Sequence, residues 1–252
     1  MAKQESLVKF RGRIGDLSFS KHRTRGYEAR MAGGPDKKRI MSDPNFQRTR
    51  ENMSEFGSAA QLAKLIRIQL NNLLKGLADK SFRNRLTSIV HRIQKMDRDS
   101  VRGERVFKPE NSRLLKGLEF NDNSSLSFMF GENLSTSYDR ESGEITLTIP
   151  EFDPRVDVTL LEGATHIQFT LAAVEQTLDP ENIPRPEVQR SAFIPLIGKH
   201  LGETLEVNLP PDSEKVVYIM VGITTYQETN DDFYLLNNNP YNVMTIVDVN
   251  IP

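Results

Sequence analysis

The run Val217-Tyr218-Ile219-Met220-Val221-Gly222-Ile223 decides how the second half of this chain is read. Val217, Ile219, Val221 and Ile223 fall on one side of an extended backbone, and Tyr218 and Met220 on the other. That two-residue period predicts a long β-strand. The same period recurs in both directions from it. Leu126, Phe128 and Phe130 alternate with polar residues, as do Ile145, Leu147 and Ile149, then Val156, Val158 and Leu160. Ile167, Phe169 and Leu171 follow, then Leu205, Val207 and Leu209; Phe233–Leu236 and Val243–Val247 close the chain. Turn formers separate the runs at Asp139–Gly143, Asp153-Pro154, Asp179-Pro180, Pro210-Pro211-Asp212 and Asn237–Pro240. Short strands punctuated in this way predict an all-β sandwich over 118–252. With no Cys and no Trp in the chain, an antibody-type domain is not indicated, and an Ig-like or fibronectin-like topology is the expectation.

Upstream of residue 99 the period changes to that of a helix. Asp43-Pro44 reads as an N-cap with proline in the first turn. Phe46, Met53 and Phe56 are spaced for one helical face, with Gly57 as a candidate break. Leu62, Leu65, Ile66, Ile68, Leu70, Leu73 and Leu74 give the clearest helical period in the chain. After a turn at Gly76 and Ala78-Asp79, Ser81 is the expected cap of a second segment carrying Phe82, Leu86, Ile89, Val90 and Ile93. Residues 44–98 therefore predict an αα-hairpin whose wide apolar stripes need a further surface to pack on. Residues 99–117, with Gly103 and Pro109 and little periodicity, read as a linker.

Residues 1–43 read as a basic extended arm. Ile14, Leu17 and Phe19 alternate with polar residues and predict one strand, or a hairpin with Tyr27 and Met31. A lone hairpin is marginal in water, so the bland expectation for this stretch is a disordered tail. The whole is then α+β: a basic arm and a helical hairpin followed by an all-β Ig-like sandwich.

Two stretches, Gly12-Arg-Ile-Gly-Asp-Leu-Ser-Phe19 and Asp43-Pro-Asn-Phe-Gln-Arg-Thr-Arg-Glu-Asn-Met-Ser-Glu-Phe-Gly57, resemble a protein family encoded widely in Bacteroidota genomes. The resemblance covers about residues 10–60 most specifically. It implies a host group and a shared architecture, and it brings no catalytic residue and no ligand.

The net charge of −1 hides a segregation. Residues 1–117 hold 27 Lys+Arg against 12 Asp+Glu, a balance of +15; residues 118–252 hold 6 against 22, a balance of −16. Such asymmetry points to nucleic acid, a membrane surface or a self-complementary assembly, or to two halves that neutralise each other within one chain.

Catalytic motifs are missing. His22, His91, His166 and His200 are not at metal-ligand spacing, and structural roles are expected for His91 and His166. No nucleophile elbow, Walker loop or zincin motif occurs, and the spacing of Gly33-Gly34-Pro35-Asp36-Lys37-Lys38 is wrong for a phosphate loop. Glu228, Asp231 and Asp232, with Asn237 or Asn238, offer too few oxygens for calcium and read as an acidic turn. No cofactor and no metal is expected. The start Met-Ala-Lys-Gln-Glu-Ser lacks a signal-peptide core, no apolar run spans a membrane, and the chain has no Cys, so a cytoplasmic protein without membrane insertion is expected.

These observations favour a non-catalytic structural protein that self-assembles as a homo-oligomer: a filament, ring or shell. Arg11, Arg13, Lys21, Arg23, Arg25, Arg30, Arg85 and Arg92 would form its basic interaction surface. Ile14, Leu17 and Phe19 would add a strand to a neighbour's sheet. The alternatives are a nucleic-acid-binding or packaging protein using the same basic residues, with Phe10, Phe19 and Tyr27 stacking on bases, and an adaptor whose loop Tyr234–Tyr241 binds a protein or glycan.

Overall fold

The computed structural model describes residues 2–31, 33–131, 133–159, 162–236 and 242–252. The chain divides into two compact units, Met1–Asn52 and Met53–Pro252.

The first unit holds four strands, β1 (Ala2–Lys3), β2 (Gly12–Ile14), β3 (Leu17–His22) and β4 (Gly26–Met31), in one antiparallel sheet of order β1-β4-β3-β2. The hairpin expected from Ile14, Leu17, Phe19, Tyr27 and Met31 is there, and the stretch is not a structureless tail. Ile14 pairs with Leu17 across a two-residue turn; Leu17 pairs with Met31, Phe19 with Ala29 and Lys21 with Tyr27. Gly15 stands at the first turn position with φ +55°, where a side chain is disfavoured and which the twist of a tight hairpin requires. A short helix α1 (Lys37–Ser42) and a 3-10 turn (Pro44–Phe46) follow. Asp43 caps that turn, its carboxylate accepting from Asn45 N at 2.9 Å. The long helix α2 (Gln47–Gln69) begins in this unit.

In the second unit α2 runs through Gly57 without a break. A Cβ there would meet nothing within 4 Å, so this glycine costs about 1 kcal/mol of helix propensity but interrupts no hydrogen bond. After the short α3 (Asn71–Leu74), the turn at Gly76 leads to α4 (Phe82–Lys95). Ser81, the expected cap, makes no side-chain cap bond. Asp79 caps instead, accepting from Ser81 N and, at 2.8 Å, from Phe82 N.

Residues 99–117 contain no long element but are tied down. Buried Asp97 accepts from Asp99 N and Val106 N, both at 3.1 Å, and faces Lys108 Nζ at 3.1 Å. Buried Glu55 accepts from Gly103 N at 2.8 Å. A 3-10 helix (Pro109–Leu115) then inserts Leu115 into the core.

The rest is mostly β. β5 (Ser135–Tyr138), β6 (Glu144–Ile149) and β10 (Glu203–Asn208) form a three-stranded antiparallel sheet of order β10-β6-β5. β7 (His166–Glu175), β8 (Glu187–Arg190), β9 (Ile194–Pro195), β11 (Val217–Thr229), β12 (Asp232–Leu235) and β13 (Val243–Asn250) form the larger, curled sheet. In it β11 lies between β7 on one side and β13 and β12 on the other. The alternation in β11 reads out directly. Val217, Ile219, Val221 and Ile223 pack with Ile145, Leu147 and Leu205 of the smaller sheet. Tyr218 and Met220 pack with Ile66, Leu70, Leu86 and Val90 of the helices. The larger sheet is thus buried on both faces, with helices on one and a sandwich-like second sheet on the other.

Two expected strands are helical turns. Leu126–Met129 is α5, because Ser125 caps it by accepting from Phe128 N at 3.2 Å. Pro154–Asp157 is α6, capped by Asp153 through Arg155 N at 3.1 Å, with proline in its first turn. Val158 keeps only an isolated bridge to Phe130, and Leu160 lies outside the described residues. In both places a local side-chain cap outweighs the two-residue pattern.

Candidate interaction surfaces

In the first unit, register places Ile14, Leu17, Phe19, Tyr27 and Met31 on one face of the sheet and Arg13 and Arg30 on the other. The apolar face is uncovered: Ile14 is 59 % exposed, Leu17 42 % and Met31 70 %. Phe10 touches Phe19, ring centroids 5.7 Å apart. Among the described residues of 2–52 no hydrophobic side chain is buried; Glu28 alone is. Among the described residues β2 pairs with β3 alone, which leaves its other edge open.

The basic residues expected to act here are spread over both faces. Arg11 and Arg23 are exposed, and Arg13 Nε donates to Gly15 O at 3.0 Å. Lys21 stands over the Tyr27 ring at 5.4 Å, and Arg25 pairs with Glu28 at 3.2 Å.

Arg85 and Arg92, on α4, separate. Arg92 is exposed. Arg85 is a structural residue, not part of a free basic surface: it pairs with Asp79 at 2.7 Å and donates to the carbonyls of Glu119 and Phe120 at 3.0 and 3.2 Å. Burial pushes the Asp79 carboxyl up, but Arg85, the Asp122 N–H and Ser81 outweigh it and hold Asp79 well below the usual carboxylate range.

The cationic surface of the helical layer is a groove of about 630 Å³ between α2 and α4. Lys64 and Arg67 reach it from α2, Lys80 from the turn before α4 and Arg83 from the first turn of α4. No acidic residue lines it, and none of the four has an ion-pair or side-chain hydrogen-bond partner among the described residues. Ala60, Ala63 and Ser88 line its middle, and their small side chains leave the space. At the far end the ring of Phe56, 53 % exposed, meets His91 edge-on at 5.7 Å. Burial, reinforced by Lys95 and opposed by Glu55, holds His91 below the ordinary histidine value. Its buried Nε2 lacks a hydrogen-bond partner.

None of these four cations is among the basic residues read from the sequence as an interaction surface. The signal that marks the groove is a stripe at helical spacing, Phe56-Ala60-Ala63/Lys64-Arg67, in which small residues alternate with an aromatic and two cations.

The other candidates are structural. His166 opens β7 against Phe233, centroids 4.9 Å apart, and His200 Nδ1 accepts from Gly202 N at 3.1 Å. Asn230 and Asp231, both at positive φ, form the two-residue turn between β11 and β12. Asn237 and Asn238, and the loop from Asn237 to Tyr241, lie outside the described residues. Among the described residues no cluster of three His, Asp or Glu could hold a metal ion, and no helix is long and apolar enough to cross a membrane. No family model and no curated protein matches the chain.

Proposed function

We propose that this chain is a non-catalytic structural protein that self-assembles, its N-terminal sheet completed by another copy. The observation that carries this reading is the bare apolar face of the first unit. A four-stranded sheet that buries no hydrophobic residue gains nothing from the main driving force of folding. A second surface over Ile14, Leu17 and Met31, or a strand added beside β2, supplies what is missing. The larger unit offers β5 as an open receiving edge among the described residues. β13 is covered by residues 117–120, with Gly117 N donating to Ile246 O at 2.7 Å and Phe120 N to Met244 O at 2.8 Å, whereas β5 pairs with β6 alone. The charge segregation, +15 against −16, favours head-to-tail contact between unlike surfaces.

We infer further that residues 118–252 form an Ig-like sandwich of the fibronectin kind. Support comes from strand order. Lettered A, B, C, C′, E, F, G in chain order, strands β5, β6, β7, β8, β10, β11 and β13 put A, B and E in one sheet and C′, C, F and G in the other, the Ig-type partition. A cytoplasmic setting fits a chain without cysteine.

The test is solution mass by light scattering. The full chain is expected at a multiple of 28.7 kDa, and both the deletion of residues 1–35 and the double variant I14K/L17K at monomer mass. Assembly unchanged in both variants overturns the reading, as does a full chain that is monomeric at every concentration.

A further inference from the structure

We propose that the groove between α2 and α4 binds single-stranded nucleic acid, with phosphates over Lys64, Arg67, Lys80 and Arg83 and a base on Phe56. This is independent of the assembly reading, because every residue involved belongs to the second unit.

The first argument is a contrast within one layer. Some cations around these helices are neutralised, Arg85 by Asp79 at 2.7 Å, Lys108 by Asp97 at 3.1 Å and Lys116 by Asp248 at 2.9 Å, and others, such as Lys75, Arg92, Lys95 and Arg98, stand exposed. The four groove cations instead line one concavity without a carboxylate; Arg67 is half-buried, and Lys64 and Arg67 sit three residues apart on α2, where like charges repel. An external anion removes that repulsion.

The second argument is the other end of the groove. From Phe56 to Arg67 is eleven residues of helix, about 16 Å at 1.5 Å each. A simple anion would occupy only the cationic end. Phe56 presents an exposed ring that no core requires, edge-on to the His91 ring at 5.7 Å. A ligand with charge at one end and a flat aromatic group at the other matches a nucleotide within a strand. An acidic peptide satisfies the cations and leaves Phe56 unused.

The experiment titrates the full chain with a fluorophore-labelled oligothymidylate of about a dozen nucleotides, read by anisotropy across a salt series. Four phosphate contacts on a single strand predict affinity falling about 50-fold between roughly 50 and 200 mM salt, a log–log slope of about −2.8. R67Q/R83Q, and separately K64Q/K80Q, should each reduce that slope by about 1.4. Phe56→Ala should weaken binding about 5-fold or more with the slope unchanged. Thermal unfolding of each variant verifies that it is folded. Titrations of both cation variants that superimpose on the parent overturn the proposal. So does an oligoglutamate of equal charge that competes as well as the oligonucleotide and is indifferent to Phe56→Ala, which would make the groove a site for acidic protein segments.

Discussion

The two units use the same alternating grammar and reach opposite ends. In β3, Leu17 and Phe19 alternate with serines as cleanly as Val217 and Ile219 alternate with Tyr218 and Met220 in β11. The β11 residues are buried on both faces, whereas those of β3 are exposed or half-exposed. Alternation selects which backbone groups pair and which side chains share a face. It says nothing about whether a second layer exists to cover that face, and burial comes from the second layer. The larger unit has two such layers, the helices and the smaller sheet. Among the described residues of its own unit the N-terminal sheet has none.

Hydrogen exchange is where this comparison should show most. Amides of β7 and β11 are expected to exchange only through global unfolding, worth about 5–15 kcal/mol, and those of β3 and β4 through openings near the bottom of the scale. Comparable protection in both, for monomeric protein, would break the comparison. Core truncation comes next. Phe169→Ala removes a fully buried ring that meets Phe130 and Phe152 at centroid distances of 5.2 and 5.9 Å, and is expected to cost about 3–5 kcal/mol in denaturant unfolding. Phe19→Ala should leave the same transition within about 0.5 kcal/mol while lowering the assembled mass.

Asp79 gives an intermediate effect with a pH signature. Asp79→Asn keeps an amide oxygen to cap α4 but removes the anionic partner of Arg85, for about 1–3 kcal/mol. Because the folded carboxyl sits below its ordinary value, its contribution is present above that ordinary value, near pH 4. It fades as pH falls toward the lower folded value. The parent should therefore lose stability over that acid range more steeply than the variant, in thermal scans at stepped pH. The smallest effect belongs to the groove. Lys64→Gln relieves the like-charge pair with Arg67 on α2 and should stabilise the ligand-free protein by about 0.2–0.5 kcal/mol; destabilisation would mean that Lys64 has a partner in the fold.

Most of the larger unit was legible from period alone: the helical hairpin, β6, β7, β10, β11 and β13, and the two-faced character of β11. What was not legible has local causes. Ser125 and Asp153 each spend a side-chain oxygen on a backbone N–H and turn an alternating run into a helical turn. β8 (Glu-Val-Gln-Arg) and β5 (Ser-Thr-Ser-Tyr) are mainly polar edge strands with no hydrophobic period to read. Residues 99–117 read as a linker because nothing in the sequence announces that Asp97 and Glu55 are buried acceptors for its amides. The groove escaped for a similar reason. Arg85 and Arg92 have the right charge, but which cation lacks a carboxylate depends on where Asp79 and the carbonyls of Glu119 and Phe120 lie, and those are tertiary facts.

Tyr218 has an optical consequence. The chain has no tryptophan and six tyrosines, so near-ultraviolet signals come from phenols. Tyr218 is wholly buried between the larger sheet and the helices, and burial pushes its hydroxyl far above the ordinary tyrosine range, whereas Tyr27 belongs to the thin N-terminal sheet. In an alkaline titration followed at the tyrosinate band, Tyr218 should stay dark until the double-faced core opens. Its late, abrupt appearance would time the failure of the larger unit from within, without a label.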